Sequence, residues 1–550
     1  MPTLEIDGRR ITVDTGLTVI QAADQLNLEI PHYCYHPGLS IAGNCRMCLV
    51  EVERMPKLQI ACNTRVLDGM VVHTATPRVA TARQAVLEFL LLNHPIDCPV
   101  CDQAGECKLQ DYYMDFGRYH SRMPLGRKVR KGKVIDIGPH VMLDQERCIL
   151  CTRCTRFLDE VTHTSELGVF ERGDHCTIDL FPGQRLENPY SANVVDVCPV
   201  GALTSREFRF QARVWYLERT ESVCNACSRG CSIDVYHRRG EVLRYRPRYN
   251  PEVNDWWMCD AGRLSYATLQ GERRLTQVLV RGERGFAPVD WAEGIAVTVR
   301  RVQEIVRAAG AGAAAGLASA RATNEEIFLL RQLLREGLGS EGLRGVSWSP
   351  PGAFEDAFLI RGDKNPNTRG LETLGVTATA AGTTALFQAL ERREIRAVVL
   401  LRADAVAWLG EEATRKALEA AELVVLIDSE ASETAAYADV VLPIGTHVET
   451  EGSFTNCDGQ IQRLVPAFPP AGEARPGWSV IAELSQRLGA MRIYPSAAAV
   501  FDELAAQVPA FQGLRFADLG PYGRRLLPER SVTAADVARA PATPSEVPPA

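Results

Sequence analysis

The chain has 550 residues, of which 46% are hydrophobic and 23% are charged. This composition is typical of folded globular proteins and excludes a fibrous chain or one that is disordered throughout. The net charge of −7 also argues against a nucleic-acid-binding protein. The unusual feature is the 17 cysteines, of which only Cys457 lies after residue 260.

The N-terminus and the apolar segments predict a soluble protein. The sequence begins Met-Pro-Thr-Leu-Glu, which lacks the basic and apolar regions of a signal peptide. No apolar run approaches the ~20 residues that a membrane-spanning helix needs. We therefore expect a cytoplasmic chain that contacts a membrane only through partners. In a reducing compartment, clustered cysteines are metal ligands more often than disulfides.

The N-terminal segment predicts a small α+β domain. Residues 4–13 alternate apolar and polar side chains around Asp7-Gly8, which predicts a β-hairpin. A helix over residues 18–26, with Thr18 as its cap, and a strand over residues 48–53 follow.

Two further helices and a basic segment come next. The helices are predicted over residues 79–93 and 108–116. Residues 118–133 are basic and contain several glycines, which indicates a linker. Such a segment either docks a partner subunit or is a solvated connector.

After residue 270, short apolar strands alternate with helical segments. Strands are predicted over residues 397–401, 423–427 and 440–443, with helices over 411–421 and 430–437 between them. This alternation predicts a parallel sheet with helices on its faces.

Sixteen potential ligands fall into four sets. Set one has the spacing C-x10-C-x2-C-x13-C and consists of Cys34, Cys45, Cys48 and Cys62. Plant-type [2Fe–2S] ferredoxins use C-x4-C-x2-C with a distant fourth cysteine, so only the first gap differs. Gly38 and Gly43 would let the backbone pass close to inorganic sulfide. The alternative is a zinc knuckle, although zinc sites usually contain two C-x2-C pairs.

Set two has the spacing H-x3-C-x2-C-x5-C and consists of His94, Cys98, Cys101 and Cys107. Three thiolates and one imidazole can hold a [4Fe–4S] cluster, and a neutral histidine should raise its reduction potential. The alternative is that His94 only interacts with the negative end of the preceding helix.

Set three consists of Cys148, Cys151, Cys154 and the remote Cys198, which is followed by Pro199. Bacterial ferredoxins have the run C-x2-C-x2-C-x3-C-P, whose fourth cysteine serves a second cluster. Leu158 occupies that position here, so we expect one [4Fe–4S] cluster completed by Cys198.

Set four consists of Cys224, Cys227, Cys231 and the distant Cys259. Three thiols in one loop and a remote fourth favour a [4Fe–4S] cluster over the paired knuckles of a zinc ribbon, the main alternative. Cys176 and Cys457 remain outside the sets and are interpreted as structural thiols.

These four sites together predict an electron carrier. The sequence contains no fingerprint for a flavin or a nicotinamide at a strand-to-helix turn, no P-loop and no H-E-x-x-H motif. We therefore expect a relay subunit of a larger enzyme, without catalytic residues of its own.

The sequence resembles the large iron–sulfur subunit (the G subunit) of bacterial NADH:quinone oxidoreductase, respiratory complex I. The resemblance depends on the four spacings and on the segments VDVCPVGAL (195–203), SARATNE (319–325) and ETEGSFTN (449–456). It implies that set one holds a [2Fe–2S] cluster and that sets two, three and four each hold a [4Fe–4S] cluster. The cluster of set four, found in only some members, would lie off the main electron path.

The resemblance also implies a multidomain fold of α/β and α+β parts. We expect an N-terminal β-grasp ferredoxin domain, small Fe–S domains and a C-terminal shortened molybdopterin-oxidoreductase-like α/β domain. The expected divisions are a 2Fe–2S ferredoxin-like domain (1–78), a 4Fe–4S domain with one histidine and three cysteine ligands (79–118), a ferredoxin-like 4Fe–4S domain (138–215), a 4Fe–4S domain of the Mo/W-bis-MGD type (220–276), the shortened molybdopterin-oxidoreductase-like domain (277–515) and a partly disordered tail (516–550).

The C-terminal domain departs from active molybdopterin enzymes. In active relatives a lysine often follows the fourth cysteine of set four, where this chain has Asp260. The metal-ligating cysteine would fall near Ser347, and the chain after Cys259 is several hundred residues shorter than in those enzymes. We therefore expect no intact molybdopterin or flavin site.

The implied function is electron transfer from NADH toward quinone. The implied partners are an NADH- and FMN-binding subunit, a 2Fe–2S thioredoxin-like subunit and a ferredoxin-like subunit on the quinone side. They would form a peripheral arm on the cytoplasmic side of the bacterial inner membrane. The alternatives are the catalytic subunit of an NAD-linked formate dehydrogenase, an iron–iron hydrogenase or its relay subunit, and a zinc-bound scaffold without a redox role.

Overall fold

The computed structural model describes residues 1–269 and 271–526 and contains two compact units. The first unit comprises Met1–Arg219, Asp234–Tyr249 and Asp255–Tyr266. The second comprises Thr220–Ile233, Asn250–Asn254 and the described residues from Ala267 onward. Within the described ranges, no helix is long and apolar enough to cross a membrane. The six predicted divisions of the chain are smaller than these units, and their boundaries stay a prediction.

The N-terminal part of the first unit is a five-stranded sheet crossed by one helix. Its elements are β1 (Thr3–Ile6), β2 (Arg9–Thr12), α1 (Val19–Gln25), β3 (Leu49–Val52), β4 (Gln59–Ile60) and β5 (Met70–His73). The strand order is β2-β1-β5-β3-β4, and the β1–β5 pair is parallel. The predicted hairpin and helix are confirmed. The Gln21 side chain accepts a hydrogen bond from the Thr18 backbone N–H (2.9 Å), which caps α1.

Two helices follow this sheet. They are α2 (Pro77–Leu91) and α3 (Lys108–Phe116). Helix α2 begins two residues before the predicted start because Thr76 caps it, accepting a hydrogen bond from the Val79 backbone N–H (3.3 Å), and Pro77 fits the first helical position. Helix α3 has the predicted bounds.

The next part of the first unit contains short strands and two short helices. These are β6 (Ile135–Asp136), β7 (Val141–Leu143), α4 (Arg153–Phe157), β8 (Leu167–Phe170), β9 (Thr177–Leu180), α5 (Asn193–Val197) and β10 (Leu203–Ser205). Strands β10, β7 and β6 form one antiparallel sheet in that order, and β8 pairs with β9. A π-helical turn, Leu158–Thr162, extends α4.

Three strands then form a separate sheet in sequence order. They are β11 (Glu218–Val223), β12 (Ser232–Arg238) and β13 (Glu241–Pro247), followed by the short helix α6 (Asp260–Leu264).

The second unit is built on a seven-stranded sheet with helices on both faces. Its elements over residues 278–443 are β14 (Val278–Gly282), β15 (Gly285–Val289), α7 (Trp291–Ala309), β16 (Ala314–Ser319), α8 (Asn324–Gln332), β17 (Leu343–Val346), α9 (Thr368–Thr373), α10 (Ala380–Glu391), β18 (Ala397–Leu401), α11 (Ala405–Leu409), α12 (Glu411–Ala420), β19 (Leu423–Asp428) and β20 (Val440–Pro443). The strand order is β15-β14-β20-β19-β18-β16-β17. The five strands β16 to β20 pair in parallel with one another, as predicted. The hairpin of β14 and β15 adds an antiparallel edge.

Every residue of β16, β18, β19 and β20 is buried, because both faces of the sheet are covered. One core includes Ile295 of α7 and Ile327 of α8. The opposite core includes Leu386 of α10 and Leu418 of α12.

The remaining described elements complete the second unit. They are β21 (Gly452–Thr455), β22 (Gln460–Leu464), α13 (Gly477–Arg487), α14 (Ala497–Gln507) and β23 (Arg524–Arg525). Part of the stretch expected to be a tail is folded, since a 3₁₀ turn covers Phe516–Leu519 and buries both terminal side chains of that turn. Residues 527–550 lie outside the described residues.

Candidate metal centres

The four cysteines of set one converge on one site in the N-terminal domain. Cys34 and Cys45 lie in the loop between α1 and β3, Cys48 directly precedes β3, and Cys62 follows β4. The Cys45 thiol donates a hydrogen bond to the Cys34 sulfur, which lowers the pKa of the Cys34 thiol. A hydrogen bond from Cys62 likewise lowers the pKa of Cys48. One thiol of each pair therefore ionises more readily to the thiolate, and the thiolate is the form that binds metal.

The two glycines in this loop, Gly38 and Gly43, lie close to side chains from other segments. A Cβ atom on Gly38 would lie 2.6 Å from Cδ1 of Trp256, so Gly38 makes room for an indole ring. A Cβ atom on Gly43, whose φ is +62°, would lie 3.2 Å from Ile60. The small size of Gly38 thus serves a side-chain contact distant in sequence, and the predicted role of both glycines toward inorganic sulfide stays a prediction.

Set two surrounds the turn between α2 and α3. His94 follows α2, Cys98 and Cys101 bound a 3₁₀ turn, and Cys107 caps α3. The Nδ1 atom of His94 is buried and has no hydrogen-bond partner among the described residues. Burial lowers the pKa of His94 to about 4, so its imidazole is neutral at pH 7. A neutral ring with an unsatisfied buried nitrogen fits a metal ligand.

Lysines of the basic segment 118–133 pack against set two. Lys128 donates hydrogen bonds to the backbone oxygens of Leu91 (3.2 Å) and His94. Lys133 forms ion pairs with Asp97 (3.5 Å) and Glu146 (2.9 Å). These lysines bind their own chain beside the proposed ligands, and the two alternatives for the segment, a partner-docking surface or a connector, stay predictions.

The four cysteines of set three line one apolar cavity. Cys148, Cys151 and Cys154 lie in and before α4, and Cys198 follows α5. The cavity is completed by aliphatic side chains including Leu143 and Val200. Burial raises the pKa of Cys148 to about 12 and that of Cys151 to about 11. Four thiolates in such a cavity need a bound cation to compensate their charge, which fits a metal cluster.

Sets two and three lie directly beside each other. The backbone N–H of Lys108, next to Cys107, donates to the carbonyl of Pro199, next to Cys198 (3.1 Å). A Cβ atom on Gly201 would clash with the sulfur of Cys101, so only glycine allows this approach. The loop that completes set three therefore forms one wall of set two.

Set one and set three are also connected by hydrogen bonds. The Arg156 guanidinium of α4 donates to the carbonyl oxygen of Cys34 (2.5 Å). The Asn44 side chain of the set-one loop donates to the carbonyl oxygen of Leu150 (3.3 Å). All three sets thus belong to one continuous structure within the first unit.

The structure describes set four in two parts. Cys224, Cys227 and Cys231 belong to the second unit, and Cys259 belongs to the first. The loop of the first three closes through a hydrogen bond from the Cys224 N–H to the Cys231 carbonyl (2.8 Å). Cys259 caps α6, and its sulfur accepts a hydrogen bond from the Gly262 N–H (3.3 Å).

The two cysteines outside the sets are not fully buried, and their interpretation as structural thiols stays a prediction. Cys457 is exposed, and its backbone N–H donates to the Ser228 carbonyl (2.8 Å), beside Cys227. Cys176 is half-buried, and its carbonyl accepts a hydrogen bond from Lys131. No sequence signal places Cys457 beside set four, because 226 or more residues separate it from the other cysteines of the second unit.

Asp260 and Ser347, the two positions at which the sequence departs from active molybdopterin enzymes, take part in hydrogen-bond networks. Asp260 is buried and accepts hydrogen bonds from the Ser191 hydroxyl (2.7 Å) and the Ala192 N–H (3.0 Å). The Ser347 hydroxyl is hydrogen-bonded to that of Thr368 (2.8 Å) and accepts from Asn365 (3.2 Å). Both side chains therefore have local partners that account for their positions.

No three His, Cys, Asp or Glu side chains within residues 1–269 and 271–526 are spaced to hold a single metal ion. A cluster differs from a single ion in that its ligands bind separate iron atoms.

Five protein-family models match consecutive parts of the chain. They are 2Fe–2S iron–sulfur cluster binding domain (1–77), NADH-ubiquinone oxidoreductase-G iron–sulfur binding region (83–122), NADH-quinone oxidoreductase subunit 3, ferredoxin-like domain (138–204), NADH-ubiquinone oxidoreductase NDSU1/NuoG-like, 4Fe–4S domain (217–267) and molybdopterin oxidoreductase (366–487). Domains that bind 2Fe–2S and 4Fe–4S clusters are therefore present.

Individual proteins are similar over longer stretches. The 78 kDa subunit of mitochondrial NADH-ubiquinone oxidoreductase from Candida albicans is 33% identical over 89% of this chain and 83% of its own length. The chain belongs to the family of the G subunit of NADH-quinone oxidoreductase. The G subunit of the enzyme from Rickettsia felis is 41% identical over 62% of this chain and 50% of its own length. The chain thus spans about half the length of the first bacterial relatives that it matches.

Membership of this family confirms the predicted fold class. The β-grasp and Fe–S parts carry the cluster-domain matches, and the molybdopterin oxidoreductase match falls on the parallel α/β sheet of the second unit. Among solved structures, a chain of an NAD⁺-reducing [NiFe]-hydrogenase in the H2-reduced state is 28% identical over 39% of this chain and 91% of that chain, with a TM-score of 0.35. That weak similarity adds nothing to the family assignment.

Proposed function

We propose that this chain is an electron-relay subunit of an NADH:quinone oxidoreductase. The observation that carries the proposal is the continuity of three ligand sets in the first unit, which are joined by direct hydrogen bonds between residues next to their cysteines. Iron–sulfur clusters supply one-electron transfer when bound. Because the sets are adjacent, each electron transfer between their clusters would cross a short distance.

The proposed ligands are the sixteen side chains of the four sets. Set one (Cys34, Cys45, Cys48, Cys62) would hold one [2Fe–2S] cluster. Three [4Fe–4S] clusters would be held by set two (His94, Cys98, Cys101, Cys107), set three (Cys148, Cys151, Cys154, Cys198) and set four (Cys224, Cys227, Cys231, Cys259). The paired thiols of set one, the unsatisfied Nδ1 of His94 and the cysteine-lined cavity of set three support these assignments.

The chain's own residues compensate charge around these sites. Arg83 and Arg156 face set one, Lys128 and Arg147 face set two, and Arg229 faces Cys227 of set four. Such cations favour the more negative, reduced state of an anionic cluster. No catalytic residue and no molybdopterin or flavin site is proposed, and the second unit acts as a scaffold.

The proposed partners are those of the peripheral arm of complex I. They are an NADH- and FMN-binding subunit that donates electrons, a 2Fe–2S thioredoxin-like subunit, and a ferredoxin-like subunit that carries electrons toward quinone. The arm would lie on the cytoplasmic side of a bacterial inner membrane, and this chain would reach the membrane only through its partners. The predicted domain boundaries are retained as part of this proposal.

Metal and sulfide analysis of the purified chain, combined with EPR spectroscopy, tests the proposal. We expect about 14 iron and 14 sulfide per chain, the content of one [2Fe–2S] and three [4Fe–4S] clusters. Cys151→Ser should remove one [4Fe–4S] signal, and Cys176→Ser, outside the sets, should remove none. About four zinc per chain without iron would identify the zinc scaffold instead. Stoichiometric molybdenum would identify a formate dehydrogenase subunit.

A further inference from the structure

Arg153 lies between two of the ligand sets and contacts the backbone beside each of them. It is the first residue of α4, within the run of set three. Its Nη1 donates to the carbonyl oxygen of Val197, directly before Cys198 (3.3 Å). Its Nη2 donates to the carbonyl oxygen of Tyr35, directly after Cys34. One guanidinium therefore binds the backbone next to a ligand of set one and a ligand of set three.

This guanidinium has no carboxylate partner within the described part of the chain. Its Nε is buried without a hydrogen-bond partner. Burial and the neighbouring Arg156 lower the pKa of Arg153, whereas the groups that raise it are the thiols Cys151, Cys198 and Cys34. The side chain is half-buried, and a cation without a counter-charge beside it is costly, so a nearby anion would offset that cost. Ligand thiolates of sets one and three, with their clusters, are the anions in reach.

We infer that Arg153 is a positioning residue that sets the reduction potentials of two clusters at once, the one at set one and the one at set three. The inference rests on the proposed function. A positive charge between two anionic clusters favours the reduced form of each, and its two hydrogen bonds fix the loops that carry Cys34 and Cys198.

Arg83 provides a matched comparison because it faces set one alone. It is 4% exposed, its Nη2 donates to the carbonyl oxygen of Leu49 beside Cys48 (3.4 Å), and Cys48 is the first group that raises its pKa. Arg122 is an exposed arginine paired with Glu88 and serves as the surface control.

The test is an EPR-monitored redox titration of the intact complex that contains Arg153→Gln, Arg153→Lys, Arg83→Gln or Arg122→Gln. Arg153→Gln should lower the ratio of reduced to oxidised cluster about tenfold at fixed potential, for both the [2Fe–2S] cluster and one [4Fe–4S] cluster. A tenfold change corresponds to about 59 mV for one electron. Arg153→Lys should retain both potentials, Arg83→Gln should shift the [2Fe–2S] cluster alone, and Arg122→Gln should shift neither.

The inference is overturned if Arg153→Gln shifts only one cluster, or none, while all clusters are present. If Arg153→Gln does not retain its clusters, Arg153→Lys decides: wild-type potentials support a role of the charge, and a shift of both overturns it. These outcomes differ from failure of the proposed function, which would appear as wild-type protein without iron.

Discussion

His94 is a neutral side chain in a ligand set that otherwise contains thiols. Its buried Nδ1 is unsatisfied, and burial holds its pKa at about 4. Lys128, Lys133 and Arg147 further favour the neutral ring. This environment keeps His94 available as a ligand at pH 7, and a neutral ligand reduces the negative charge of its cluster by one relative to a fourth thiolate.

We expect His94→Cys to lower the reduction potential of one [4Fe–4S] cluster without removing it. The added thiolate makes the oxidised form relatively more stable. EPR-monitored redox titration should show one signal shifted and the others unchanged, and His120→Cys, in an exposed position of the adjacent segment, is the control. If no signal shifts, His94 is not a ligand.

Glu325 is a fully buried acid in the second unit. It accepts hydrogen bonds from the backbone N–H (2.8 Å) and the hydroxyl (2.7 Å) of Ser453. Burial outweighs these bonds and raises its pKa from 4.5 to about 7. Burial also raises the pKa of Asp428, from 3.8 to about 6.

These pKa values predict that the second unit loses stability as the pH rises. A pKa that is raised by folding adds stability that is fully present below about pH 4.5 and is lost as the pH rises through about 7. Glu325→Gln should weaken this dependence, because the amide cannot ionise. The pH dependence of stability is measured by hydrogen exchange of β21 amides at several pH values, corrected for intrinsic exchange rates. Glu412→Gln, on an exposed helix face, should keep the wild-type slope, and equal slopes for both variants would contradict the prediction.

At the scale of elements, a buried ion pair connects α8 to the end of β18. Glu326 closes the capping box of α8 by accepting from the Thr323 N–H (3.0 Å). Its two carboxylate oxygens also bind Arg402 (2.8 and 2.9 Å), and the two side chains are 1% and 9% exposed. One carboxylate therefore serves a helix start and a strand end.

Arg402→Ala should destabilise the second unit by about 3–5 kcal/mol, because it leaves the Glu326 carboxylate buried without its cation. The free energy of opening, measured by native-state hydrogen exchange of β18 amides, should fall by that amount. Arg415→Ala removes an exposed pair with Glu419 and should cost less than about 1 kcal/mol. Equal losses in the two variants would show that the buried pair contributes little.

Elements whose pattern is local were predictable from the sequence. The hairpin of β1 and β2 follows from Asp7-Gly8 and alternation, and α3 follows from its periodicity. The parallel strands β18, β19 and β20 follow from short apolar runs between helices. The antiparallel edge formed by β14 and β15 was not predicted, because strand order depends on contacts between distant segments.

The candidate ligands were predictable because cysteine spacing is local, whereas their surroundings were not. Gly38 makes room for Trp256, and Arg153 reaches the carbonyl of Tyr35 from more than a hundred positions away. Such contacts leave no signal in the spacing of either residue. The composition of residues 118–133 likewise predicted a linker, although Lys128 and Lys133 bind around set two.

At the scale of the whole molecule, three ligand sets lie in the first unit, and each set draws its ligands from separate elements. Set three connects the start of α4 to the residue after α5, and set one connects the loop after α1 to the end of β4. A bound cluster therefore cross-links these segments, and its binding energy adds to folding. The parallel sheet of the second unit has instead a continuous aliphatic core on each face.

Removal of the clusters with an iron chelator should therefore destabilise the two units unequally. We expect hydrogen-exchange protection to fall in α2, α3, α4 and α5 and to persist in β16, β18, β19 and β20. Mock-treated protein of the same preparation is the control. Equal loss of protection in both units would mean that the clusters do not stabilise the first unit selectively.

The contact between Gly201 and Cys101 has a consequence for the order of assembly. The wall of set two that faces Cys101 is the Cys198–Gly201 loop, which also supplies the fourth cysteine of set three. Set two is thus complete only after a segment nearly a hundred residues further along the chain has been synthesised and placed. Set two can therefore be enclosed only after the chain has been synthesised as far as Gly201, whichever cluster is inserted first.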